Sequence, residues 1–222
     1  MLVGSDYTLV YNVLSFGTAV MFGAFVYFLT QMKSVSKQYQ AGVAVSAIVV
    51  GIAGYHYYRI WSDFGEGVMN EGYRYADWLI TVPLLIIELL IVLGVAQKDR
   101  TSLMLKLVPA TILMVGLGYP GEVADGNGAK WTFWVLAMIP FAYILKTLYA
   151  ELQKAGQRET GAVAKQIKNA TYVLLTTWLV YPIAYLFPIF DGNSEALETL
   201  RQEGNTFADI TAKGLYGLMI LW

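Results

Sequence analysis

Lys213 is the residue whose chemistry most needs an explanation. It lies inside Phe207–Trp222, an apolar stretch long enough to enter a bilayer, and Asp209 stands four residues before it. A cationic side chain at mid-membrane depth is costly and persists where it serves a function and meets a partner. Residues four apart on a helix share a face, so Asp209 is one turn from the amine. A second carboxylate, Asp77, sits in another apolar segment. A lysine kept in apolar surroundings and matched with acids suits a covalently modified amine, such as a Schiff base. The plainer alternative is an ammonium that snorkels to the surface. Nine residues follow Lys213, ~13 Å of helix, which makes that a long reach.

Around Asp77 the chain reads Arg74-Tyr75-Ala76-Asp77-Trp78, then Thr81-Val82-Pro83-Leu84-Leu85, then Glu88. Arg74 is one turn before Asp77 and Thr81 one turn after it. Glu88 is eleven residues on, about three turns, so it returns to nearly the same face ~16 Å further along the axis. If this segment faces the one carrying Lys213, the amine lies axially between Asp77 and Glu88, with Asp209 on the Asp77 side. Ordered intramembrane acids of this kind serve proton relays. His56, in Gly54-Tyr55-His56-Tyr57, falls at roughly the depth of Asp77, and a histidine beside a carboxylate can share its proton. Each residue also has a simpler reading. Arg74 and Asp77 could be a structural ion pair, Glu88 a capping acid, and His56 a hydrogen-bonded core histidine. Trp78, Trp134, Phe141, Trp178, Tyr181 and Tyr185 could box a flat conjugated ligand, or pack the core and form interface belts.

The elements that must position these residues are membrane helices. The chain has 222 residues, 57% apolar and 14% charged, against about 25% charged in a soluble domain. A span needs ~20 mostly apolar residues. Seven segments qualify: 7–32, 40–61, 73–96, 102–119, 130–153, 162–187 and about 200–222. The expected fold is an all-α, seven-helix transmembrane bundle forming one domain over residues 1–222. Pro83, Pro109, Pro140, Pro182 and Pro188 lie within or at the ends of spans, where membrane helices tolerate proline. A net charge of −1 implies no polyanionic partner and no nucleic acid. With no cysteine and one histidine, disulfides, thiol chemistry and a histidine metal cluster are excluded. Lys33, Lys37, Lys98, Arg100, Lys106, Lys146, Lys154, Arg158, Lys165 and Lys168 flank one set of loops. Asp6, Asp63, Glu66, Glu71, Glu122, Asp125, Asp191, Glu195, Glu198 and Glu203 crowd the other. The positive-inside rule then predicts an extracellular N-terminus and a cytoplasmic C-terminus.

The Arg74–Trp78 and Thr81–Glu88 stretch resembles the third helix of the microbial (type 1) rhodopsins. Trp178-Leu179-Val180-Tyr181-Pro182 resembles their sixth helix, and Asp209-Ile210-Thr211-Ala212-Lys213 their seventh. Gly118-Tyr119-Pro120-Gly121-Glu122 and Gly54–Tyr57 are similar to the proteorhodopsin and xanthorhodopsin branch. The resemblance implies all-trans retinal on Lys213 as a protonated Schiff base. It implies Asp77 as counterion and proton acceptor, Asp209 as second counterion, and His56 as partner of the counterion. Arg74 and Thr81 would be supporting residues and Glu88 the proton donor. Trp78, Leu85, Met114, Gly118, Trp134, Phe141, Trp178, Tyr181, Pro182 and Tyr185 would line the retinal pocket. The implied activity is light-driven outward proton pumping in the plasma membrane; the alternative is a sensory rhodopsin signalling through a partner protein. Protons and membrane lipids are the implied partners, with homo-oligomers of five or six copies. A carotenoid antenna is not expected, because Trp134 fills the place of a glycine in antenna-binding xanthorhodopsins. Two departures stand out: Gly214 follows Lys213 where relatives often have proline, and Arg201 stands where bacteriorhodopsin has an acid.

Overall fold

The computed structural model describes residues 2–158 and 160–221, and all regular structure among them is helical. The elements are α1 (Gly4–Gln31), a 3-10 turn at Met32–Ser34, α2 (Lys37–Gly65), α3 (Gly72–Val92), α4 (Gln97–Glu122), α5 (Asn127–Arg158), α6 (Gly161–Trp178), α7 (Val180–Phe190), α8 (Glu195–Asp209), a π-helical stretch Ile210–Leu215, and α9 (Tyr216–Leu221). α6 and α7 together make the sixth span, Gly161–Phe190. α8, the π-helical stretch and α9 make the seventh. The first six spans are long and apolar enough to cross a membrane, and the seventh holds Asp209 and Lys213.

The spans run as expected, with shifted ends that have local causes. The third helix stops at Val92, short of Ala96, because Gly94 takes a left-handed conformation (φ +63°) that glycine adopts without steric penalty. The seventh begins at Glu195, five residues before Leu200. There the Ser194 hydroxyl caps the Leu197 amide at 3.3 Å, with Glu195 and Glu198 in the first turn, where acids favour the helix dipole. The sixth is interrupted at Leu179. Pro182 lacks the amide hydrogen that would bond the Trp178 carbonyl, and its ring crowds that carbonyl. Met1 and Trp222, the ends of the expected domain and of the seventh span, lie outside the described residues.

Outward-facing side chains such as Phe16, Val26, Leu105 and Ile139 are exposed and apolar, as a lipid-facing surface requires. Inside, Leu85, Ile86, Leu89, Leu107, Ile144, Leu148 and Trp178 form a core shared by α3, α4, α5 and α6, which also takes in Ala212 and Tyr216 of the seventh span. Gly217 permits close packing there. A Cβ at that position would stand 2.6 Å from Phe28 Cζ and 3.2 Å from Ser46 Cβ.

At the N-terminal face, charge clamps the start of α3 to α8. Arg201 Nη2 lies 3.2 Å from Glu71 Oε1, Arg74 Nε donates to Glu71 Oε2 at 3.0 Å, and the Gln202 amide donates to Glu71 Oε1 at 2.6 Å. Burial opposes ionisation of Glu71, but the guanidinium groups of Arg201 and Arg74 outweigh it and hold the carboxyl at about 2. A depressed carboxyl stabilises the fold above its unfolded value, here 4.5, and loses that contribution as pH falls through its folded value. The shift corresponds to about 3 kcal/mol. Thermal unfolding of the solubilised protein is therefore expected to weaken between about pH 4.5 and pH 2. Glu71→Gln should lower stability at neutral pH and flatten that acid dependence; an identical pH profile in the variant would remove the clamp.

Candidate functional site

The two carboxylates predicted to accompany Lys213 meet at its amine. Lys213 Nζ lies 2.9 Å from Asp209 Oδ1 and also donates to Asp77 Oδ2, and all three side chains are almost completely buried. The amine hangs from the π-helical turn Ile210–Leu215, a geometry frequent at functional sites. The two acids differ in their remaining partners. Asp209 accepts from Tyr57 at 2.7 Å, Tyr181 at 2.8 Å and the Trp78 indole at 3.2 Å. Asp77 Oδ1 has no hydrogen-bond partner among the described residues. Thr81 donates to the Asp77 carbonyl at 2.9 Å and stands 3.4 Å from Asp77 Oδ2.

Arg74 completes a neutral buried quartet of two cations and two anions. Its Nη1 lies 3.9 Å from Asp209 Oδ2 and donates to the Tyr57 hydroxyl at 3.2 Å. Its Nη2 donates to Gln202 at 2.6 Å. His56 reaches the group from α2. Its Nδ1 is 3.9 Å from Asp77 Oδ1, beyond direct hydrogen bonding, and 3.0 Å from the Ile52 carbonyl.

Glu88 stands apart, toward the C-terminal face. It is fully buried and accepts a hydrogen bond from Ser46 on Oε1, while Oε2 has no partner among the described residues. No cation reaches it in the described residues, and an isolated charge in such surroundings is costly. Sequence reasoning missed Ser46, a small hydroxyl in an apolar helix that gives no signal until α2 and α3 are brought together.

An apolar cavity leads away from the amine between α3, α4, α5, α6 and α7. Nine predicted pocket residues line it: Trp78, Met114, Gly118, Trp134, Phe141, Trp178, Tyr181, Pro182 and Tyr185. Trp78 and Tyr181 join it to the lysine, because they line its wall and also donate to Asp209. Leu85 is not on this wall. It lies two turns beyond Asp77, packed in the core with Ile86 and Leu89. Asn205 of α8 lines it too, as do Tyr75, Val82, Val115, Ala137 and Met138. The signal for these last five was helical spacing from Trp78, Gly118, Trp134 and Phe141.

At its N-terminal end the cavity meets Glu122 and Arg201. Arg201 bonds Glu122 at 2.5 Å and Glu198 at 2.9 Å, besides Glu71. Tyr75 donates to Glu122 at 3.2 Å. The same two residues also line a second, polar cavity of about 650 Å³ at the N-terminal face, with Glu71 and Glu198. The Arg201–Glu122 pair is therefore part of the wall between the apolar cavity and that vestibule. Sequence reasoning marked Arg201 as a departure and did not foresee this hub.

Comparison with known proteins fits this geometry. A family model described as bacteriorhodopsin-like protein matches residues 9–222. A green-light absorbing proteorhodopsin from Gamma-proteobacterium EBAC31A08 is 32% identical over 207 residues, covering 91% of this chain and 81% of that protein. The solved structure of xanthorhodopsin, described as a light-driven ion pump with dual chromophore, superposes with a TM-score of 0.92 at 39% identity, covering 99% of this chain and 93% of the other. A thermophilic rhodopsin superposes equally well, with a TM-score of 0.92 at 39% identity, covering 99% and 94%. Proteins of this family carry retinal covalently on a lysine. The chain belongs to the bacteriorhodopsin-like family, as a microbial rhodopsin of the proteorhodopsin and xanthorhodopsin type.

Proposed function

We propose that this protein is a light-driven pump that moves protons outward, from its C-terminal to its N-terminal face, with retinal carried on Lys213. The observation that carries the reading is one buried amine held between Asp77 and Asp209, with a lone buried acid, Glu88, on its other side. By its lining, the cavity suits a flat conjugated ligand. It is walled by aromatic and apolar side chains, and its neighbour Lys213 is an almost fully buried lysine. Bound through the Lys213 nitrogen, retinal supplies a polyene whose light-driven change of shape re-aims that nitrogen.

The residues divide the proton's route. Asp209 has its oxygens occupied by Tyr57, Trp78 and Tyr181, so Asp77 is the freer acceptor for the proton on the Lys213 nitrogen. Thr81 steadies Asp77, and Arg74 keeps the buried charge balanced once Asp77 is neutral. Ser46 holds Glu88 on the opposite side, from which the nitrogen is reloaded. His56 is near enough to Asp77 to take part through an intervening water. Lys33, Lys37, Lys98, Arg100, Lys146 and Lys154 gather at the C-terminal face, which supports that face as cytoplasmic. The Trp134 indole donates to the Pro182 carbonyl at 2.9 Å and packs 5.7 Å from Trp131. That closed wall supports retinal as the sole chromophore, without a carotenoid antenna. Membrane lipid against the exposed apolar faces and a pentamer or hexamer in the plasma membrane complete the reading.

Illuminated cells making the protein with retinal should acidify their medium, and an uncoupler should abolish the effect. Asp77→Asn should reduce steady flux by at least about 10²-fold. A light response without proton flux would sink the pump reading and leave a sensor. Lys213→Ala should give no protein-bound visible band on adding retinal; a normal band would move the attachment elsewhere. Glu88→Gln should slow reprotonation of the nitrogen by about 10²-fold with the dark band nearly unchanged, and an unaltered photocycle would strip Glu88 of its role.

A further inference from the structure

Tyr216 is a buried ionisable group that the scheme above leaves unused. It is completely buried, yet its hydroxyl has no hydrogen-bond partner among the described residues. A buried hydroxyl without a partner is destabilising, and such a group in a folded protein calls for an explanation. Phenylalanine would pack the same volume without that cost.

Its surroundings supply one. Tyr216 follows Lys213 by three residues, and residues so spaced share a helix face. It therefore sits one turn from the amine, toward the C-terminal face. Tyr216 packs in the same buried core as Leu85, Ile86 and Leu89, the α3 residues on either side of Glu88. Ser46, which holds Glu88 Oε1, packs against the next residue of α9, since a Cβ on Gly217 would lie 3.2 Å from Ser46 Cβ. The other Glu88 oxygen, Oε2, is also buried without a partner. Two orphaned polar atoms, one on a carboxyl and one on a phenol, thus belong to segments packed into one buried core.

We propose that the Tyr216 hydroxyl is a relay group in the inner half of the proton path, joining Glu88 to the Lys213 nitrogen. The inference rests on the pump reading. As Glu88 Oε2 gives up its proton, the hydroxyl oxygen accepts it and passes its own proton on to the nitrogen, directly or through one water. One O–H bond breaks at Glu88, one N–H bond forms at Lys213, and Tyr216 ends as the same neutral phenol. No oxidant or further reactant is required. Leu85, Ile86 and Leu89 pack in the same core, and their side chains carry no group that can pass a proton.

Tyr216→Phe tests this in the retinal-loaded protein, because it removes the oxygen and keeps the ring. Flash photolysis should show nitrogen reprotonation slowed by at least about tenfold, within the ~10²-fold that a positioned acid or base commonly contributes. The dark absorption band and the thermal midpoint should hold or the midpoint rise, since an unsatisfied hydroxyl has been removed. The double variant with Glu88→Gln should be no slower than Glu88→Gln alone, as expected for two members of one path. An unchanged reprotonation rate in Tyr216→Phe, or fully additive slowing in the double variant, would overturn the relay. If Glu88→Gln slows the step and Tyr216→Phe does not, the relay fails while the pump reading stands. If wild type shows no proton flux, the pump reading fails first.

Discussion

The buried ion cluster around Lys213 is the constraint on which the rest of the bundle depends. Removing one charge from water costs several kcal/mol even after a protein relaxes around it. Here four are buried together: Lys213, Arg74, Asp77 and Asp209. Such a cluster is tolerable only if its charges cancel and its remaining donors and acceptors are matched. Tyr57 from α2, Trp78 from α3 and Tyr181 from α7 therefore converge on Asp209. The requirement fixes the depth of four spans relative to one another. Apolar packing alone could not, because in lipid the hydrophobic drive between helices is lost.

The same cluster makes the isolation of Glu88 meaningful. Beside a cation it would share in the charge balance. It stands about 16 Å away along α3, and its one hydrogen-bond partner among the described residues is Ser46. The proposed donor and acceptor differ less in chemistry than in surroundings, one carboxyl against an amine and the other against aliphatic side chains and a serine hydroxyl. A pump needs that difference, since two equivalent acids would exchange protons in either direction.

Much of this was legible in the sequence because it follows from helical repeat and cost. Lys213 and Asp209 had to share a face, and Asp77 and Glu88 had to stand on one helix about three turns apart. The resemblance named the aromatic wall, and nine of its ten positions line the cavity. What could not be read were contacts made by tertiary approach. Ser46 and Tyr216 are ordinary residues of apolar helices until α2, α3 and α9 meet. Leu85, expected at the pocket from its position in the motif, packs in a core that Phe141 and Trp178 of the cavity wall also join. Helix ends were misjudged where capping decided them: Ser194 and Gly94 set boundaries that an apolar-run criterion does not see. The π-helical turn beneath Lys213 has no signature in residue types, although Gly214 falls within it.

The two faces of the bundle differ in a way that bears on direction. Toward the N-terminal face, Arg74, Gln202, Glu71, Arg201 and Glu122 form a continuous chain of charged and amide groups that ends in a polar cavity. Toward the C-terminal face, the described buried polar groups, among them Ser46, Glu88, Thr171 and Tyr216, are set apart within largely apolar packing. Charge arising on the Asp77 side therefore meets groups that can spread it, while the Glu88 side offers few that are linked to one another. Low dielectric there makes an uncompensated charge far more expensive than beside the polar cavity. The surroundings of the Lys213 nitrogen are thus asymmetric along the bundle axis, and that asymmetry is the support the packing gives to the proposed direction of transport.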